Sequence, residues 1–91
     1  MISEHDMLMR LMTLRRMVKV NSYPDCKALV LRITYDIGRF SNKDLKKEIK
    51  GTILDMDALI KEKKESQEQI MQKLDQHAEL LINIFSKHGI E

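Results

Sequence analysis

Apolar residues recur at steps of three and four along the first twenty positions, which is the spacing of one face of an α-helix. Ser3 and Asp6 form an N-cap pattern at the start, so we predict a first helix over about residues 4–19. The period resumes after Pro24, which suits the first helical position, and predicts a second helix over about 24–38. β-branched residues in this second segment also favour a strand.

The longest periodic stretch begins at a second cap pattern, Ser41 with Asp44. From Ile49 to Ile84 an apolar stripe returns about every 3.5 residues and keeps its phase across the charged segment 61–69. That segment lacks Gly, Pro and Asn and is rich in helix formers, which favours one long helix over about 42–87. Gly89 then follows as a left-handed residue. A break near Gly51 or within 61–69 is the alternative, because glycine inside a helix costs about 1 kcal/mol relative to alanine.

The length of this third helix bears on assembly. A helix over 42–87 would be about 70 Å long at 1.5 Å per residue, whereas a compact chain of this size has a diameter on the order of 30 Å. It must either pair with a second copy or bend back as a helical hairpin, and the lack of turn residues favours pairing. We therefore predict a single all-α domain over 1–91, with two short N-terminal helices, a long C-terminal helix and a coiled-coil-like dimer. The predicted self-association residues are Leu8, Leu11, Leu14, Ile49, Ile53, Met56, Ile60, Ile70, Leu74, His77, Leu81 and Ile84.

Composition agrees with a helical protein. The 91 residues suffice for one domain, and 43% apolar with 33% charged residues, one Pro and three Gly are typical of helical bundles. A formal charge of +2 calls for no polyanionic partner. The single Cys26 excludes an intrachain disulfide and fits a reducing cytoplasm. The acidic N-terminus and the lack of a long apolar run predict a cytoplasmic protein without a membrane segment.

No residue pattern indicates catalysis or a cofactor. His5, His77 and His88 share no metal-ligand spacing. Cys26 lies near a helix start, where a thiol can become nucleophilic, but no neighbouring base supports that role, and a core position is the simpler interpretation. His77 falls on the apolar stripe, where it would set the register of paired helices or make their contact sensitive to pH. We predict a protein that is not an enzyme and has no cofactor or metal.

Two features point to partners. The first helix is rich in methionine, which adapts to irregular partner surfaces but also fills cores. Two basic clusters can contact phosphates or form solvated helix faces, and no aromatic residue lies within either run, so nucleic-acid binding should be weak and sensitive to salt. The possible phosphate contacts are Arg10, Arg15, Arg16, Lys19, Lys43, Lys46, Lys47 and Lys50.

The stretch 61–65, the C-terminal residues 79–91 and residues 11–16 together carry a family resemblance. They resemble the oligomerisation region of the histone-like nucleoid-structuring (H-NS) family, in which a charged helix closes on a similar Gly-Ile step before a linker. The chain departs from that family in the extra residues between the matching stretches, and it stops where the linker and DNA-binding domain would begin. The resemblance implies an oligomerisation module of a bacterial regulator without its DNA reader.

We therefore expect a non-enzymatic helical oligomerisation or adaptor protein whose partner is a second copy of itself or another helical protein. A small cytosolic chaperone for a helical client, such as a secretion subunit, is the first alternative. A weak, non-sequence-specific nucleic-acid-associated protein is the second.

Overall fold

The computed structural model describes all residues from 1 to 91 and contains four helices. They are α1 (Glu4–Lys19), α2 (Tyr23–Ile37), α3 (Lys43–Glu62) and α4 (Gln67–Lys87). The all-α prediction is confirmed. The first helix has its predicted bounds, and the second begins and ends one residue earlier than predicted. The segment that also favoured a strand is helical.

The favoured prediction of one continuous third helix is wrong, and the alternative, a break within 61–69 that makes a helical hairpin, is confirmed. Lys63 adopts a left-handed conformation with φ of 52°, and the chain reverses before α4 begins. Ser66 accepts a hydrogen bond from the Gln69 amide at 3.1 Å, and the Gln69 side chain accepts one from the Ser66 amide at 3.2 Å. This capping box is a helix start without Gly, Pro or Asn, which explains why the segment did not look like a turn. Gly51, the other suspected break, lies inside α3 on its exposed side.

The remaining helix ends follow local capping rules. Ser3 accepts from the Asp6 amide at 3.1 Å, as predicted. Asn42, and not Ser41, caps α3 by accepting from the Leu45 amide at 3.0 Å. Gly89 has φ of 77° just after α4, which confirms its predicted left-handed conformation.

One hydrophobic core of 21 buried residues draws on all four helices. Each helix packs on its neighbour in sequence, and α1 also packs on α4, so the helices form a closed bundle of 34 × 22 × 18 Å. The N-terminal residue Ile2 seals one end, because its amide donates to the Arg39 carbonyl at 2.8 Å and its carbonyl accepts from the Ser41 amide at 3.0 Å. The bundle therefore buries its apolar faces within one chain.

Candidate functional site

The residues predicted to form a dimer interface lie inside the single chain. Ten of them are at most 3% exposed: Leu8, Leu11, Leu14, Ile49, Ile53, Met56, Ile60, Ile70, Leu74 and Leu81. His77 and Ile84 are half-buried at the edge of the core. A second chain can reach most of this set only if the four helices separate.

His77 is not on the buried face of α4. The fully buried residue at this level of α4 is Ala78, and one level further along it is Phe85 and not Ile84. A helix packed in a short bundle has a period near 3.6 residues, so its buried face drifts away from a strict 3.5-residue repeat. Nδ1 of His77 donates to the Lys73 carbonyl oxygen at 2.7 Å, one turn earlier in the same helix. The side chain lines a cleft between α3 and α4 and does not set the register of buried helices.

Cys26 is a core residue. Its side chain is completely buried, and burial, followed by the charge of the neighbouring Asp25, raises the pKa of the thiol. A raised pKa keeps the thiol protonated at neutral pH, so the helix start does not make it a nucleophile.

Arg10, one of the arginines suggested as phosphate ligands, contacts a buried carboxylate instead. Nη1 of Arg10 lies 2.9 Å from a carboxylate oxygen of Asp36, which is 0% exposed, although the contact lacks hydrogen-bond geometry. Nε of Arg32 donates to the same oxygen at 3.0 Å. The charge of Asp36 is thus balanced by two arginines inside the α1–α2 boundary.

Arg15 joins α1 to α4. Its Nε donates to Asp75 at 2.9 Å and its Nη2 donates to Glu79 at 2.9 Å. The hydrogen bond to Asp75, with a further contribution from Glu79, raises the pKa of Arg15. Its guanidinium is therefore occupied and holds a fixed position on the surface.

The other basic residues of the two clusters have no carboxylate within 4.0 Å. They are Arg16, Lys19, Lys43, Lys46, Lys47 and Lys50. Arg16 and Lys19 lie on α1, whereas the four lysines lie on the first half of α3. Of the predicted phosphate ligands, Arg10 and Arg15 thus lie beside carboxylates. The others have no carboxylate partner and form two separate groups, one on α1 and one on α3.

A groove between α1 and α4 combines apolar side chains with available cations. It has a volume of about 280 Å³ and is lined by Met12, Arg15, Arg16, Lys19 and Ile82. Met12 is 44% exposed. We call these five residues the α1–α4 groove. Two of its lining side chains are apolar and three are basic.

A second exposed methionine lies one turn before the α1–α4 groove on α1. Met9 is 40% exposed and lies three residues before Met12, so both side chains lie on the outer side of α1. The high methionine content of α1 was the sequence signal for this surface. Met7 is fully buried, whereas Met9 and Met12 are exposed. Ile82 could not be singled out beforehand, because it lies off the predicted apolar stripe.

A larger cleft of about 390 Å³ lies between the end of α3 and the start of α4. Leu59 and Ile70 contribute apolar surface there, and two of the carboxylates that line it, Glu62 and Glu65, already pair with Lys64 and Lys73. No group of three metal-ligating side chains occurs in the chain. The charges of this cleft are largely satisfied internally.

Comparison of the chain with protein-family models, curated proteins and solved structures finds no match. None of the helices combines the length and the hydropathy needed to cross a bilayer.

Proposed function

We propose that the protein is a non-enzymatic helical adaptor or chaperone that binds an amphipathic helix of a partner protein in the α1–α4 groove. The supporting observation is the exposed Met12 beside two cations, Arg16 and Lys19, that have no carboxylate partner. Methionine side chains adapt to different apolar shapes, and amphipathic helices dock in grooves through residues spaced three and four apart.

The charge of the groove defines the partner. An apolar side chain of the partner helix would lie between Met12 and Ile82, and flanking carboxylates would pair with Arg16 and Lys19. Arg15 forms a rigid wall, since Asp75 and Glu79 already hold it. The preferred partner is thus a helix with an apolar stripe and acidic flanks, and a basic helix should be rejected.

The proposal can be tested with methyl NMR of the seven methionines. A synthetic amphipathic helix with leucines three and four residues apart and glutamates beside them should shift the methyl signals of Met9 and Met12. The signals of Met7 and Met56, which are fully buried, should stay in place. Met1 is an exposed control, because it lies beside the connection between α2 and α3.

A matched pair of variants distinguishes binding in the α1–α4 groove from nonspecific binding of the peptide. Met12→Glu should abolish the shift of Met9, because it replaces one of the two apolar side chains that line the groove with a carboxylate. Leu54→Glu, at a 46% exposed leucine of α3, should leave peptide binding unchanged. Equal shifts with a lysine-flanked peptide, or no shift at millimolar glutamate peptide, would contradict the proposal.

Self-association is a second candidate function, and the α3–α4 turn favours it. Lys63 is held left-handed within a run of helix formers. Opening this turn would join α3 and α4 into the long helix expected from the sequence, and two chains could then exchange their α4 helices. The same long helix would supply the oligomerisation that the resemblance to the H-NS family implies.

Light scattering across a concentration series distinguishes these states. A mass of 10.7 kDa identifies the closed bundle, and twice that value identifies the exchanged dimer. Lys63→Gly should reduce any dimer, because glycine favours the left-handed turn. A charged substitution at Leu74 would not be informative, since that residue is fully buried in the single chain.

A further inference from the structure

A second basic surface lies where α2 leads into α3. Five cations here, over residues 39–50, have no carboxylate within 4.0 Å. They are Arg39, Lys43, Lys46, Lys47 and Lys50. Lys43, Lys47 and Lys50 are exposed and follow one another at one-turn intervals along α3. At 1.5 Å per residue, the row from Lys43 to Lys50 is about 10 Å long.

The fold adds an exposed aromatic ring to this surface. Tyr35 is 66% exposed, and the guanidinium carbon of Arg39 lies 5.9 Å from the centre of its ring. Lys46 connects this pair to the lysine row, because its Nζ donates to the Gly38 carbonyl oxygen at 3.5 Å. In the sequence the aromatic residue and the lysines look unrelated, since a helix end and a connection separate them.

Two of the three carboxylates of residues 35–50 have other partners. Asp36 is fully buried between Arg10 and Arg32. Glu48 contacts His88, the residue that follows α4. Asp44 is the one exposed carboxylate of residues 35–50 without an ion-pair partner. From α1, Glu4 also approaches this connection, where its carboxylate accepts from the Asn42 side chain at 3.5 Å. The five cations therefore face only two carboxylates without an ion-pair partner, Glu4 and Asp44.

We propose that Tyr35, Arg39 and the lysine row of α3 form a binding surface for single-stranded nucleic acid. Lysines spaced one turn apart would follow the phosphates of the backbone, and Tyr35 would stack on an unpaired base. Proteins that bind single strands without sequence preference combine these two elements, a basic track and an aromatic platform. Binding would be salt-dependent, because neutralised phosphates release counterions.

Two other polyanions fit this surface less well. A membrane-surface helix needs a free apolar face, and the apolar face of α3 is already buried in the core. Duplex DNA keeps its bases paired and stacked, so it offers no base face to Tyr35. The surface is also distinct from the α1–α4 groove, since it lies on α2 and α3. The inference therefore does not depend on the proposed adaptor function.

Fluorescence anisotropy with a labelled oligothymidylate at low and moderate salt provides the test. If three phosphates are contacted, the logarithm of the binding constant should fall with the logarithm of salt with a slope of about −2, from about −0.7 per phosphate of a single strand. Lys43→Gln, Lys47→Gln and Lys50→Gln together should weaken binding by roughly tenfold or more and flatten this slope. Lys63→Gln, Lys64→Gln and Lys73→Gln together are the matched control, with the same change in net charge at exposed positions near the α3–α4 turn.

A spectroscopic readout isolates the stacking. The chain has no Trp and only two tyrosines, so a Tyr23→Phe background leaves Tyr35 as the sole tyrosine emitter. Oligothymidylate should quench its emission. Tyr35→Leu should weaken binding by about tenfold without changing the salt slope, and Tyr35→Phe should restore it. All substituted lysines and Tyr35 are exposed, so circular dichroism should show unchanged helicity.

Several outcomes would overturn the inference. One is the absence of binding even at low salt, and another is an equal loss in the control triple variant. Tighter binding to duplex than to single strand, with no effect of Tyr35→Leu, would exclude base stacking. Binding to vesicles with anionic lipid but not to the oligonucleotide would assign the surface to membranes instead.

Discussion

The connection between α2 and α3 and the connection between α3 and α4 reverse the chain in different ways. The first is covered by the N-terminal segment, where Ile2 and Phe40 are buried and bridge each other. The second consists of surface residues, with Lys63 left-handed and Ser66 capping α4. Long-range packing therefore holds the first connection, whereas local backbone and capping chemistry makes the second. Substitutions that remove buried contacts at the first connection should therefore lower the free energy of unfolding more than substitutions at the second.

The largest effect should come from Phe40→Ala. Phe40 is buried, its ring centre lies 6.1 Å from that of Phe85, and its removal leaves a cavity under the N-terminal segment. We expect a loss of about 3 kcal/mol in the free energy of unfolding, measured by urea denaturation. Tyr35→Ala, at an exposed ring on the preceding helix, is the control and should change stability little. A small loss at Phe40 would mean that the connection is not held by burial.

Asp36→Ala, in the last turn of α2 before the first connection, should destabilise the contact between α1 and α2 by about 2 kcal/mol. The substitution leaves Arg10, which is partly buried, without its counter-charge 2.9 Å away. Arg32→Ala removes only the more exposed partner of Asp36 and should cost less than half as much. If the two variants unfold at the same urea concentration, the Arg10 contact does not stabilise the bundle.

At the second connection, Ser66→Ala should cost about 1 kcal/mol. The change removes the hydroxyl that accepts from the Gln69 amide, and with it half of the capping box. Ser86→Ala, at an exposed serine in the last turn of α4, removes a hydroxyl that caps no helix start. Thermal unfolding followed by circular dichroism compares the two, and equal melting temperatures would contradict a capping role.

The smallest effect, and one of opposite sign, is expected for Lys63→Gly. Glycine adopts a φ of 52° without the steric cost of a side chain, so stability should rise by about 0.5 kcal/mol. The matched change Lys64→Gly, one residue later and outside the left-handed position, should give no such gain. Destabilisation by Lys63→Gly would show that the lysine side chain supports the turn.

Sequence patterns were most successful where the decisive contacts are local. The Ser3 cap, the start of α2 one residue before Pro24 and the left-handed Gly89 each depend on residues within one turn. The same reasoning gave the break within 61–69 only as the alternative to a continuous helix, because the stripe from Ile49 to Ile84 keeps its phase whether or not the helix is interrupted. Ser66 with Gln69 was a readable signal for that break.

The candidate surfaces were harder to predict, because the carboxylates that neutralise a basic side chain can come from distant parts of the sequence. Arg15 looked available for phosphates, but its carboxylates, Asp75 and Glu79, are 60 and 64 residues away in the chain. The lysines in the first half of α3, from Lys43 to Lys50, looked equivalent to that cluster and have no carboxylate within 4.0 Å. The methionine-rich composition of α1 suggested Met12 as a binding residue. Ile82 joins it in the groove only because α1 packs on α4.

The sequence by itself determined that the chain is helical, where three of its helix ends fall and which side of each helix is apolar, because these properties depend on neighbours a few positions apart. Only the tertiary structure decided what those apolar sides cover. A stripe that can pair with a second chain closes instead on its own chain once one left-handed residue, Lys63, lets α4 fold back. The cost of that single residue is about 1–2 kcal/mol. It is small beside the burial of a whole helix face, so local preference at the turn gives way to packing.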